Sequence, residues 1–167
     1  MNRILSLVSV VALCTAVPVD THAQTSFTAD GNSCSRAVIT EYPTASAMSF
    51  PQGIDIDEDG NIWYAETGAG KLAVLRPNHT TSEYPVPNGG QPITPKVAKD
   101  GIWFTDGANH AIGNLNPDTG KIVEYPFPYQ EITMRRFWLY QGHMWWASPA
   151  NGVVGYFYLA QNSRSGK

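Results

Sequence analysis

Three side chains in this sequence combine the right chemistry with a suggestive spacing. Glu66 closes the run Ile62-Trp63-Tyr64-Ala65-Glu66, and Asp106 closes the parallel run Ile102-Trp103-Phe104-Thr105-Asp106. His110 follows shortly after, across Gly107-Ala108-Asn109. Two carboxylates and an imidazole on one channel suit two kinds of chemistry. The acids could hold a divalent cation through oxygen ligands. Alternatively, the acids and His110, as a general base, could move protons. Gln52, Arg135, Arg136 and Ser148 fall at matching places and would line a ligand-binding rim beside them. Each of these residues also has a plainer use. An acid after a strand often accepts backbone N–H bonds at the turn. His110 could be an ordinary exposed loop histidine, and the two arginines a solvated pair.

What would position these groups is a repeat. Glu41-Tyr42-Pro43, Glu83-Tyr84-Pro85 and Glu124-Tyr125-Pro126 recur about forty residues apart. Trp63, Trp103 and Trp145 recur with the same period, each after a turn holding Gly60, Gly101 or Gly142. A period of roughly 40–50 residues with a Gly-Trp signature marks a β-propeller blade. No segment shows apolar residues at helical spacing. Short apolar or alternating runs bounded by Gly, Pro, Asn and Asp predict strands and turns instead. The first two repeats each hold four such runs and the third holds three. The expected fold is therefore all-β, a β-propeller of four-stranded antiparallel blades, incomplete at about three blades.

Propellers typically close with four to eight blades, which leaves three arrangements open. The chain could be a truncated product. It could form a homodimer that completes a six-bladed ring. It could also be an open arc. The strand at residues 38–42 could close a blade from the other end of the chain. In a propeller, the loops before a blade's first strand and after its second share one rim around the channel. Gln52, Glu66, Asp106, His110, Arg135, Arg136 and Ser148 all map to that rim. The Tyr-Pro pairs read as packing and strand termination. His143 lies at the opposite turn, and it and Trp146 read as structural.

The sequence opens with Arg3 and an apolar run to Val17, followed by Thr21-His22-Ala23. This pattern predicts a secretory signal peptide at 1–23, and so a secreted protein. Residues 24–37 are expected to be poorly ordered, 38–160 to form the partial propeller, and 161–167 to be a polar tail. Loss of Cys14 with the leader would leave Cys34 alone, so no internal disulfide is expected. Asn78-His79-Thr80 is an N-glycosylation sequon placed between two expected strands. The net charge of −3 comes without a basic run, which argues against nucleic acid. The apolar run is short for a membrane span. No phosphate-binding glycine loop, paired-cysteine metal site or Gly-x-Ser-x-Gly elbow is present.

Taken together, Ile39-Thr40-Glu41-Tyr42-Pro43, Pro51-Gln52-Gly53-Ile54, the run from Asp59 to Glu66, and His110-Ala111-Ile112-Gly113-Asn114-Leu115 resemble the streptogramin B lyase (virginiamycin B lyase) family of propellers. The resemblance covers roughly residues 38–157. It implies a seven-bladed ring, a magnesium ion, and opening of a cyclic depsipeptide by elimination at its ester linkage. Histidines in a Pro-His-x-Ile segment carry catalysis in that family, with a nearby glutamate. Here Gln52 and Ile93 stand at the histidine positions of the first two repeats, and Met134 or Arg135 in the third. Glu66 carries over, with Asp106 as its acidic substitute. Two functions are expected on this basis. One is a secreted, metal-assisted lyase or lactonase-like enzyme acting on a cyclic ester or lactone. The other is a non-catalytic propeller that binds a small ligand or protein.

Overall fold

The computed structural model describes residues 24–28, 36–127, 136–150 and 152–158. The expected leader, Cys34, Arg135 and the polar tail lie outside them. Within the segment expected to be poorly ordered, the β-branched and aromatic run Gln24–Thr28 forms a strand, β1, as such residues favour. It pairs antiparallel with β2 (Arg36–Thr40), Gln24 opposite Thr40. The strand expected before the first repeat is thus engaged by β1. These two strands belong to one compact unit, and three further sheets belong to another that begins at Thr44.

Each of these three sheets is one repeat. Blade 1 comprises β3 (Pro51–Ile56), β4 (Ile62–Glu66), β5 (Lys71–Leu75) and β6 (Thr81–Pro85), paired antiparallel in that order. Blade 2 comprises β7 (Pro92–Ala98), β8 (Gly101–Asp106), β9 (Ala111–Leu115) and β10 (Ile122–Pro126). Blade 3 comprises β11 (Phe137–Tyr140), β12 (His143–Ser148) and β13 (Val153–Tyr158). The first strands of neighbouring blades lie against one another. Asp55 of β3 reaches β7, where its carboxylate accepts the Val97 N–H at 2.9 Å and lies 3.7 Å from Lys96 Nζ.

Strand alternation gives each blade two faces. The adjacent aromatic pairs Trp63-Tyr64, Trp103-Phe104 and Trp145-Trp146 therefore point to opposite sides. Trp63 packs with Ala65, Leu72 and Val74 toward blade 2, where Ile102, Phe104 and Leu115 meet them. One period on, Trp103 and Ile112 meet Phe137 and Met144 of blade 3. β8, covered on both sides, is buried along its whole length. Trp145 stands at the same register but is 41% exposed, because no described residue forms a next blade over it.

The second aromatic of each pair lies across a small residue on the third strand. Tyr64 is opposite Ala73, Phe104 opposite Gly113 and Trp146 opposite Gly155. A Cβ on Gly113 would collide with the Phe104 ring. The tyrosines of the Tyr-Pro pairs pack on the blade tryptophans, Tyr84 on Trp63 and Tyr125 on Trp103, both at 5.9 Å between ring centroids. The β3–β4 turn is organised by Asp57, which accepts the N–H of Asp59 and Asn61 and the Trp63 indole N–H. Those bonds hold the Asp57 carboxyl below its ordinary value although burial alone would raise it. Asp100 accepts the Trp103 indole N–H in the same way, at 3.0 Å.

Candidate functional site

The rim positions sort into three equivalent acids or hydroxyls and a set of loop residues. Glu66, Asp106 and Ser148 each end the second strand of their blade, and all three are buried. Gln52 is exposed at a bulge in β3, where the register shifts between Gln52 and Ile54. Gly53 takes φ +54 there, and a Cβ on it would sit 2.5 Å from the Ile93 carbonyl oxygen. That close approach explains the Pro-Gln-Gly-Ile segment, since only glycine tolerates both the backbone angle and the contact. A similar irregularity lies between Pro92 and Pro95 in β7. Arg136 is exposed just before β11. His110 is exposed with φ +48, and its carbonyl accepts the Phe127 N–H. Asn78 is exposed in the β5–β6 turn, its side-chain oxygen accepting from the backbone and hydroxyl of Thr80.

Asp106 works as a turn organiser. Its Oδ1 accepts the N–H groups of Gln91, Ala108 and Asn109 at 2.9–3.0 Å. Its Oδ2 accepts Asn109 Nδ2 at 3.1 Å. Gly90 leaves room for it, as a Cβ there would collide with Oδ2. Glu66 is wholly buried, and neither of its oxygens makes a well-formed hydrogen bond. Its polar neighbours are Glu83 and Ser46, and burial, followed by the adjacent Glu83 carboxyl, raises its pKa. Glu83 is instead drawn down to about 2, first by Lys71, 2.7 Å away, then by the Ser46 hydroxyl at 2.7 Å.

Blade 2 repeats this carboxyl pairing with different support. Glu124 lies beside Asp106, and Asn109 Nδ2 spans the two, 3.4 Å from each Glu124 oxygen. Burial, then the hydrogen bond with Asp106, pushes Glu124 up to about 7. The glutamates of Glu83-Tyr84-Pro85 and Glu124-Tyr125-Pro126 are thus partners of the rim acids across the blade. Sequence reasoning treated those tripeptides as packing and missed both glutamates. Their recurrence at the same period as Glu66 and Asp106 was the available signal.

The two rim acids therefore belong to separate pairs in separate blades, each tied to its own outermost strand. Among the described residues, no three His, Cys, Asp or Glu side chains come together as a metal site. The described donor set does not fit a magnesium ion, which takes several oxygen ligands in octahedral geometry. What the arrangement offers chemically is the carboxyl pair of blade 2, in which half-buried Glu124, its pKa pushed up to about 7, lies beside buried Asp106. Among the described residues, no helix is long and apolar enough to cross a membrane.

No family model matches this sequence, and no curated protein matches it. Solved structures do. A streptogramin B lyase structure aligns over 75% of this chain at 25% identity with a TM-score of 0.62, using 46% of its own length. A catalytically inactive virginiamycin B lyase from Staphylococcus aureus, solved with quinupristin, aligns over 75% at 22% identity and a TM-score of 0.59. The extracellular domain of a protein described as a one-component system from B. thetaiotaomicron aligns over 74% at 13% identity and a TM-score of 0.57, using 16% of its length. The chain thus spans under half the length of the lyase structures it matches. The likeness shows the fold, a β-propeller whose three sheets are not closed into a ring.

Proposed function

We propose that this chain is a secreted, streptogramin lyase-like propeller that binds a small cyclic ester or lactone-type ligand on its rim without turning it over. The observation that carries this reading is the engagement of Asp106, whose two oxygens accept four hydrogen bonds from its own blade's loops. A carboxylate used in this way orders a loop and has little remaining capacity to ligate a metal. Gln52, at the position where the lyases' pattern places a histidine, can hydrogen-bond a ligand but cannot act as a general base at neutral pH.

The competing reading is a magnesium-assisted lyase with Glu66, Asp106 and His110 in the reaction. The two readings separate on one titration. Quinupristin, the compound present in one matched lyase structure, is added to the purified chain with and without magnesium. Heat is followed by calorimetry and the ligand by mass spectrometry. Heat with intact ligand is the expected result. A ring-opened product that disappears in Glu66→Gln would establish the lyase instead.

A further inference from the structure

The end of the blades opposite the rim holds a cavity of about 750 Å³ between blades 2 and 3. This lies within the usual range for small-molecule sites. Its walls include Trp103, Tyr125, His143, Phe157 and Tyr158. The rings already contact one another, Tyr125 stacking on Trp103 at 5.9 Å and meeting Phe157 at 5.7 Å. His143 meets Tyr158 edge-on at 5.1 Å. Tyr125 and Tyr158 remain 40% and 62% exposed, so ring surface is available to a ligand.

One lining residue does not fit a purely structural groove. Asn114 pairs with Trp103 across β8 and β9, at the register where blade 1 pairs Val74 with Trp63. Val74 is 1% exposed in the core between blades 1 and 2. The repeat thus accepts an apolar side chain here, and blade 2 carries an amide instead. The Asn114 amide nitrogen is buried and has no hydrogen-bond partner. Such a donor carries an uncompensated desolvation cost when unmatched. Gly101, with φ +134, makes space for it. A Cβ there would sit 2.9 Å from Asn114 Oδ1 and 3.0 Å from Nδ2. The Trp103 indole N–H is already satisfied by Asp100, so the Asn114 amide is the buried donor of this lining that is left unmatched.

We propose that this groove binds a small planar ring compound bearing a carbonyl oxygen. The ring lies among Tyr125, Phe157 and Tyr158, and the oxygen accepts from Asn114 Nδ2. The site is independent of the rim, because Gly101 begins β8 and Asp106 ends it. The test uses acetophenone and α-methylstyrene, which share a shape and differ by a carbonyl oxygen against a methylene. Side-chain amide signals of the ¹⁵N-labelled chain are followed during titration. Acetophenone is expected to shift the Asn114 amide and to bind at least about tenfold more tightly, the equivalent of one hydrogen bond of about 1.4 kcal/mol. Asn114→Val, which installs blade 1's residue, should keep the fold by circular dichroism and erase the difference between the two probes. Equal binding of the two probes by the unaltered chain overturns the proposal. So does an Asn114 amide unmoved by millimolar acetophenone.

Discussion

Replacing Glu124 by Gln tests the carboxyl pair of blade 2 directly. The folded chain holds the Glu124 proton up to about pH 7, against an ordinary value of 4.5. A carboxyl with a raised pKa binds its proton more tightly in the folded state than in the unfolded one. Below about pH 4.5 both states are protonated and Glu124 contributes no pH dependence. Between about 4.5 and 7 the unfolded state releases the proton first, so stability falls as pH rises. Above 7 the full penalty remains. The shift corresponds to about 3 kcal/mol at 1.36 kcal/mol per unit. Solvent at the half-buried Glu124 reduces this to about 1–3 kcal/mol. Glutamine stays neutral and can donate to Asp106 at every pH. Glu124→Gln should therefore match the unaltered chain near pH 4 and exceed it by about 1–3 kcal/mol at pH 8. Urea unfolding at both pH values, followed by tryptophan fluorescence, reads the difference. Glu83 does not interfere. Its lowered pKa supplies stability that is present above about 4.5 and lost as pH falls toward about 2, and at pH 4 this acts equally on the variant and the unaltered chain. Equal destabilisation of the variant at pH 4 and pH 8 would show that Glu124 only packs, and that no shared proton exists.

The two blade tryptophans at one register should differ sharply in energetic weight. Trp63→Ala, in the core at 4% exposure, is expected to cost about 3–5 kcal/mol, and Trp145→Ala, at 41%, at most about 1 by the same urea unfolding. Equal costs would mean that the Trp145 face is covered in solution. Gly113→Ala drives a methyl group into the Phe104 ring and should cost about 1–3 kcal/mol, part of which Phe104→Leu in the same chain restores.

What the sequence disclosed and what it withheld divide along physical lines. The blades were legible because a period fixes a face. Once Trp63 and Trp103 recur with one strand register, their aromatic neighbours Tyr64 and Phe104 must point the other way, with no knowledge of the partner needed. The rim ends of β4 and β8 were legible for the same reason, so Glu66 and Asp106 were placed correctly along their strands. Their roles were not legible, because a role depends on atoms that arrive from elsewhere in the chain. Asp106 receives N–H groups from Gln91 and from its own turn, and its carboxyl neighbour comes from β10, two strands away.

Asn114 shows the same limit from the opposite direction. In His110-Ala111-Ile112-Gly113-Asn114-Leu115 it looks like one more word of the blade motif. Only the register against Trp103, set beside that of Val74 against Trp63, shows that it is a polar substitution in an apolar place. Repeats make such departures measurable, since each blade is a control for its neighbour. A residue that breaks the repeat at a buried position carries a desolvation cost that the sister blade avoids. A function therefore has to be sought first where the cost has no structural return. By that criterion Asp106 is accounted for within blade 2 by its four hydrogen bonds, whereas the Asn114 amide is not.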